Sequence, residues 1–308
     1  MNILVTGGAG YIGSKLCEKL ISEGHKVTVI DSLYYNQEIP HYFESQKIEF
    51  IHTDIRDKDL LEYHIQNQDV IIPLACLVGA PLCEQLPNDA KLINQDIIKW
   101  ICDLSQKEQR IIFPTTNSGY GTKSNEIECD EATPLTPISL YGRTKSNAEN
   151  IIHNRGNAIS LRLATVFGTS YRTRFDLLVN DFVETAYNKS ELILFEHHFI
   201  RNYIHINDVV ECFIFCIKNF DQMNNNIFNV GLNNANLTKL DLANKIRAHL
   251  PDTKISLNEF SKDPDKRNYI VSNEKIKSFG FQAQKSLSHG ILEVIEYLNS
   301  GGKIHRNI

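Results

Sequence analysis

Tyr141 and Lys145 stand four residues apart in the segment Tyr141-Gly142-Arg143-Thr144-Lys145. On a helix that spacing brings both side chains to one face, so the ammonium can lower the pKa of the phenol. A free phenol titrates near ~10 and is a slow base at neutral pH. A fall of ~3 units amounts to ~4 kcal/mol, which one unit charge at about 4 Å supplies if the effective dielectric is ~20. The pair is energetically able to work as a general base. Such pairs also arise by chance on solvated helices, so support must come from elsewhere in the chain.

That support begins at the first strand. Thr6-Gly7-Gly8-Ala9-Gly10-Tyr11-Ile12-Gly13 sets Gly7, Gly10 and Gly13 in a G-x-x-G-x-x-G spacing between a strand and a helix. Glycines there allow a tight turn and a close backbone approach to a pyrophosphate, and the helix start, with Tyr11 and Ile12, offers free N–H groups to it. Asp31 closes the second strand, where its carboxylate can accept from the adenosine ribose hydroxyls. It would repel a 2′-phosphate, and no Arg or Lys lies between Ser32 and Gln37 to receive one, so the predicted cofactor is NAD rather than NADP. Asp54 and Ile55, after the third strand, either frame the adenine or lead into the following helix.

Elements of a definite kind must position these residues. Strands are predicted at 2–6, 26–30, 48–52, 69–73, 110–114 and 158–163, with helices at 11–23, 57–67, 88–106 and 140–154 between them. Runs such as Val27-Thr28-Val29-Ile30 are continuously apolar, as expected of parallel strands covered on both faces. The expected fold is α/β: a Rossmann-type doubly wound parallel sheet with a smaller C-terminal α/β substrate-binding region. Residues 1–165 form the predicted NAD-binding domain. Residues 166–308, predicted to contain helices near 174–188, 207–219, 238–250 and 286–299 and strands near 192–195, 202–206, 227–230 and 254–258, form a region intertwined with it. No Gly/Ser/Pro-rich joint separates the two, so a cleft between them is the expected ligand site.

Composition narrows the class. The 308 residues are 42% hydrophobic and carry a net charge of −5, which offers no basic excess for nucleic acid. The longest apolar stretch, Val70 to Cys83, is interrupted by Pro73, Gly79 and Pro81 and is too short to span a membrane. The chain opens directly on a strand, leaving no room for a signal peptide. Seven scattered cysteines without a C-x-x-C pair suit reduced thiols in a cytoplasmic protein. No histidine pair has ligand spacing, and no structural metal is expected.

TGGAGYIG at the start, Thr115-Thr116-Asn117-Ser118-Gly119-Tyr120-Gly121 before the helix, and Y-G-R-T-K on it resemble the extended short-chain dehydrogenase/reductases, the nucleotide-sugar epimerase and dehydratase group. The resemblance covers nearly the whole chain. It implies that Thr116 hydrogen-bonds the sugar hydroxyl being oxidised, that Tyr141 removes its proton, and that Lys145 also holds the nicotinamide ribose. Leu74 and Ala75 would border the cofactor; Val78, Asn117, Ser118 and Thr165 would border a nucleotide-sugar substrate. Arg201, which leads a string similar to R-D-Y-I-H-V-x-D-V, and Arg267 are the implied phosphate-binding arginines, and Asn180 the implied contact to sugar or diphosphate. A homodimer through the helices at 88–106 and 140–154 is common in the group, although Ile93, Ile97, Ile98, Trp100 and Ile101 could equally face the sheet.

The departures from the group select a reaction. Its 4,6-dehydratases carry Asp-Glu directly after the Thr, where this chain has Asn117-Ser118, neither of which titrates usefully. Thr165 stands where the galactose epimerases usually have Asn. The T-N-S-G-Y-G turn, residues 77–83 and the stretch Asp263 to Arg267 are similar to the bacterial GDP-heptose 4-dehydrogenases of capsule-sugar biosynthesis. The expected function is oxidation of a hexose or heptose, GDP-linked, at C4 to a 4-keto sugar. A 4-epimerase with retained NAD is the alternative, and a non-catalytic NAD-sensing protein the rival from another class. Cys83 and Cys129 could serve a C3 or C5 epimerisation, although packed inert thiols fit them as well.

Overall fold

A computed structural model describes residues 1–124, 127–258 and 267–307. Seven strands form the central sheet: β1 (Asn2–Thr6), β2 (Lys26–Asp31), β3 (Ile48–His52), β4 (Val70–Pro73), β5 (Arg110–Thr116), β6 (Ala158–Leu163) and β7 (Asn226–Val230). Their order is β7-β6-β5-β4-β1-β2-β3 and every pairing is parallel. The order reverses between β1 and β4. In open α/β sheets that switch point leaves a crevice at the carboxyl ends of the strands, where ligands bind.

Alternation along each strand supplies the two cores. Ile3, Val5, Val27, Val29, Val70 and Ile72 face one side, against α1 (Tyr11–Ser22) and a later helix, Ile206–Lys218. Leu4, Ile30 and Ile71 face the other, against α2 (Lys58–Ile65), α3 (Ile97–Leu104) and α4 (Leu140–Arg155). This period of two is that of a pleated strand, and burial on both faces explains the continuous apolar runs. Ile97, Ile98 and Ile101 are spent on this core, with Ile93 and Trp100 packed beside them. Of the two faces open to these residues, they take the sheet.

Two predicted elements differ from what is seen. The helix expected at 88–106 is broken into Pro87–Lys91, a π turn Leu92–Asp96 and α3. Asn94 lies inside that π turn and bonds both ways to the backbone of Leu77, donating to its carbonyl and accepting from its N–H, each at 2.9 Å. The turn thereby holds the loop that follows β4. The helix expected from 174 begins only at Leu178, as α5 (Leu178–Lys189), because the Arg174 backbone bridges instead to His305 and Phe175 donates to the His305 carbonyl.

The second half builds its own smaller core around Phe167, Phe175, Val179, Tyr203, Leu242 and Ile291, under α5, α7 (Lys239–Arg247) and α8 (Leu287–Asn299), while α6 (Ile206–Lys218) stays with the sheet core. Short strand pairs tie it together, Thr165–Phe167 with Tyr203–His205 and Glu191–Phe195 with Lys254–Asn258. The strand near 227–230, expected in this half, instead completes the central sheet as β7, and α6 packs on α1. No helix among the described residues is long and apolar enough to cross a membrane. All seven cysteines are free.

Candidate active site

A cavity of about 520 Å³ opens at the carboxyl ends of β1, β2, β4, β5 and β6 and reaches into the second half of the chain. Gly7, Gly10, Tyr11, Ile12 and Gly13 line one end. Gly7 sits at φ +73°, and a Cβ there would meet the Ala75 backbone at 2.7 Å. A Cβ on Gly13 would meet the Gly7 carbonyl oxygen at 2.3 Å. The turn is thus folded so tightly that only glycine fits. Helix α1 starts directly from Gly10 without a side-chain cap, leaving its first-turn N–H groups available to an anion.

Asp31 lies on the cavity wall, buried. Its Oδ2 accepts from Ala9 N–H at 2.9 Å, which ties the glycine turn to the end of β2, and its Oδ1 accepts from Leu33 N–H at 2.8 Å. Burial raises its pKa and those two hydrogen bonds oppose the rise. The loop after it turns through left-handed backbone at Leu33 and Asn36, which returns Gln37 to the carboxylate. These features fit a dinucleotide: a cradle closed to side chains, free helix N–H groups, and a carboxylate with no cation beside it in the 32–37 loop. Asp54 and Ile55 also line the cavity, but the Asp54 carboxylate is held by Arg56 at 2.7 and 2.9 Å. Leu74, Ala75 and Val78 complete this wall.

The other end holds the chemical candidates. Ser139 caps α4 by accepting from Gly142 N–H at 3.1 Å, and the helix stops at Gly156, φ +75°. Tyr141 therefore falls in its first turn and Lys145 in its second, both on the cavity wall. Lys145 is 4% exposed and its Nζ stands 4.1 Å from the Phe113 ring centroid. Thr116, the last residue of β5, donates to Ser118 Oγ at 2.9 Å, and Arg267 Nη1 donates to the same Ser118 oxygen. Thr165, Arg201 and Arg267 line the cavity as well.

The electrostatics differ from the sequence-based expectation. Burial dominates at Tyr141 and pushes the phenol above its ordinary value; the thiols of Cys76 and Cys83 add to this, while Arg174 and Arg267 oppose it. Lys145 is itself pulled down by burial. Spacing along a helix reflects the ammonium but not desolvation, which dominates at Tyr141.

Two predicted contacts lie off the cavity. Asn180 is fully buried, and its amide is consumed by the backbone: Oδ1 accepts from Gly168 N–H at 3.1 Å, and Nδ2 donates to the carbonyls of Gly168 and Arg174. It shapes the segment 168–174 from behind. Asn117 is 1% exposed and points into the protein. Arg267 is the described end of the Asp263–Arg267 stretch; residues 263–266 lie outside the described residues. Its bond to Ser118 puts it at the Thr116–Tyr141 end.

Other wall residues were not singled out from the sequence: Tyr35, Arg172, Arg174, Asp176 and Asn307. Arg174 is doubly bonded to Asp176, at 2.5 and 3.2 Å. The R-x-R-x-D pattern was a readable signal of paired charges, although nothing in it said they face the cleft. Cys83 is buried, its Sγ on the Leu77 carbonyl, with the thiol pushed up to about 12 by burial, and Cys129 is buried and raised likewise. Both behave as packed thiols. His205 meets His289 and Glu293, which stand four residues apart on α8; the three bring one ligand atom each within 4.8 Å of one another, and His205 Nε2 pairs with Glu293 at 3.1 Å.

Known proteins share this fold. UDP-glucuronic acid decarboxylase 1 of Arabidopsis thaliana is 27% identical over 313 residues, spanning 96% of this chain and 69% of that protein. The solved structure of UDP-glucose 4-epimerase with UDP-glucose from Thermotoga maritima superposes with a TM-score of 0.84 at 25% identity, covering 98% of this chain and 99% of that one. The dTDP-glucose 4,6-dehydratase of Bacillus anthracis, in complex with NAD, shares the fold with a TM-score of 0.84 at 23% identity over 97% of each chain. The sequence pattern of one family matches residues 3–231, from β1 to the end of β7, and so takes in the glycine turn, Asp31, Thr116, Tyr141 and Lys145; the chain belongs to the NAD dependent epimerase/dehydratase family.

Proposed function

We propose that this NAD-dependent enzyme oxidises the sugar of a nucleotide-sugar at C4 to the 4-keto sugar. The observation that carries the reading is one cavity lined at one end by the glycine turn and Asp31 and at the other by Thr116, Ser118, Tyr141 and Lys145. When bound, NAD supplies the acceptor for the hydride that leaves the carbinol carbon. Thr116 and Ser118 hold the sugar oxygen, and the Tyr141 phenolate takes the hydroxyl proton as the C–H bond breaks. Lys145 holds the nicotinamide ribose, and Arg174 and Arg267 favour the phenolate. Asn117 and Ser118 supply no acid or base for dehydration.

The substrate in the specific form of the proposal is a GDP-linked hexose or heptose of capsule-sugar synthesis. It draws on the T-N-S-G-Y-G turn, residues 77–83 and Arg267. Arg201 and Arg267, both on the cavity wall, are the candidates for its diphosphate. A cytoplasmic homodimer belongs to the same reading, carried by the family resemblance.

A 4-epimerase that keeps its NAD is the second reading, favoured by likeness over nearly the whole chain to the Thermotoga UDP-glucose 4-epimerase. One experiment separates these. The purified protein is given GDP-, UDP-, dTDP- and CDP-linked sugars while nicotinamide absorbance is followed and the sugar product analysed. Lasting NADH with a 4-keto product means the dehydrogenase, and an inverted sugar without lasting NADH means the epimerase. No response to any sugar would overturn both in favour of an NAD-sensing protein.

A further inference from the structure

Arg172 is 3% exposed on the wall of the cavity. Its guanidinium lies 4.2 Å from the Tyr35 ring centroid and Nη2 donates to Asn307 Oδ1 at 2.7 Å. Its Nε is buried without a hydrogen-bond partner, and no carboxylate among the described residues forms an ion pair with it. Arg174, two residues on, differs in this respect, since Asp176 neutralises it. The carboxylates that act on it without pairing, Asp176 and Asp31, are bonded to Arg174 and to the Ala9 and Leu33 N–H groups, so burial of this guanidinium is unfavourable and an anion in the cavity would relieve that cost.

The surroundings identify the anion. Arg174, Tyr35, Asp176 and Asp31 are the groups whose charges Arg172 feels, and Tyr35 and Asp31 belong to the end of β2 and the loop after it, next to the glycine turn. Tyr35 and Asp31 thus set Arg172 beside the dinucleotide end of the cavity. A planar donor fork suits a diphosphate.

The C-terminal segment holds the arginine there. Asn307 bonds it directly, the His305 carbonyl accepts from Phe175 N–H at 2.8 Å, and Arg306 pairs with Asp181 and Glu184 at 2.9 and 2.8 Å. Lys303 pairs with Glu38, just beyond the Tyr35 loop. The tail thus runs from that loop to α5, across the segment that carries Arg172.

We propose that Arg172, set between Tyr35 and Asn307, is a counter-charge for the cofactor's diphosphate, and that residues 303–307 strap it in place so that the dinucleotide is retained. This rests on the NAD reading above and concerns binding, not the sugar chemistry.

The test measures NADH affinity and release by nicotinamide fluorescence, with no sugar present, and UDP and GDP binding by calorimetry. Arg172→Gln is expected to weaken NADH by about tenfold or more and Asn307→Ala by about threefold, chiefly through faster release, with Arg172→Lys between them and nucleoside diphosphate binding unchanged. Asn307→Ala removes the amide that holds Arg172 while leaving the arginine itself, and keeps the test open where Arg172→Gln does not fold. NADH release at the wild-type rate in folded variants overturns the proposal, as does loss of UDP or GDP binding with NADH intact, which would assign Arg172 to the substrate's diphosphate. A wild-type protein that binds no dinucleotide overturns the cofactor reading and this proposal together.

Discussion

Arg162 and Glu149 form a buried, two-pronged ion pair, with Nη2 2.7 Å from Oε1 and Nε 3.0 Å from Oε2. It fastens β6 to the helix that carries Tyr141 and Lys145, one turn beyond Lys145. The same guanidinium donates from Nη1 to the Tyr120 hydroxyl at 2.9 Å, and Tyr120 lies in the turn directly after Thr116. One arginine therefore holds both halves of the candidate catalytic set in register.

Breaking that pair leaves a buried charge uncompensated. Glu149→Gln is expected to lower the unfolding free energy by about 3–5 kcal/mol, read from urea denaturation. Activity in the surviving folded fraction should fall too, because Thr116 and Tyr141 lose their common anchor. A stability change under 1 kcal/mol, by the same measurement, would mean that the ionic form contributes little.

Tyr141→Phe should abolish sugar-dependent NADH formation while NADH still binds. Burial raises the phenol pKa, so the reactive phenolate is the minor form at neutral pH. The rate should climb as pH rises through the neutral and mildly alkaline range, and Lys145→Met should steepen the need for alkali. A wild-type rate that falls across that range would remove Tyr141 from the role of base.

Gly13→Ala tests the cradle. Its Cβ would stand 2.3 Å from the Gly7 carbonyl, and because the obstacle is backbone the turn must shift. Dinucleotide affinity should drop by about tenfold or more, with the second-half core intact. Wild-type affinity in the variant would show that the turn adapts and that its tightness is incidental.

Glu293 provides a pH signature of stability. Burial raises its pKa, but hydrogen bonds from His205 and Thr169 outweigh this and hold it down at about 2, against an ordinary 4.5. A depressed carboxylate pKa stabilises the fold above the unfolded value, and that contribution is lost as pH falls from about 4.5 toward 2. The amount is roughly 3 kcal/mol. Denaturation followed from pH 6 to 2 should show this loss in the wild type and a flatter profile in Glu293→Gln.

Much of this was readable in the linear chain, because it depends on near neighbours. The period of two in β1, β2 and β4 announces a sheet covered on both faces, and three glycines between a strand and a helix announce the turn in which a Cβ on Gly7 or Gly13 would clash with backbone. Tyr141 and Lys145 share a face because four residues make about one helical turn. NAD over NADP follows from one carboxylate and six residues without a cation.

Other features depended on segments far apart in sequence meeting in space. Asn180 has the polarity of a ligand contact, yet the fold gives its amide to the Gly168 and Arg174 backbone. Tyr141 and Lys145 reverse the expected electrostatics, since desolvation comes from everything packed around them and not from their spacing. In the linear chain nothing sets Arg172 apart from its neighbours. Only the tertiary structure stacks it on Tyr35, ties it to Asn307 and leaves it facing the cavity, because those partners lie more than a hundred residues away on either side. Local spacing sets which side chains share a face; burial and counter-charge, which decide what a side chain can do, exist only once the chain has folded.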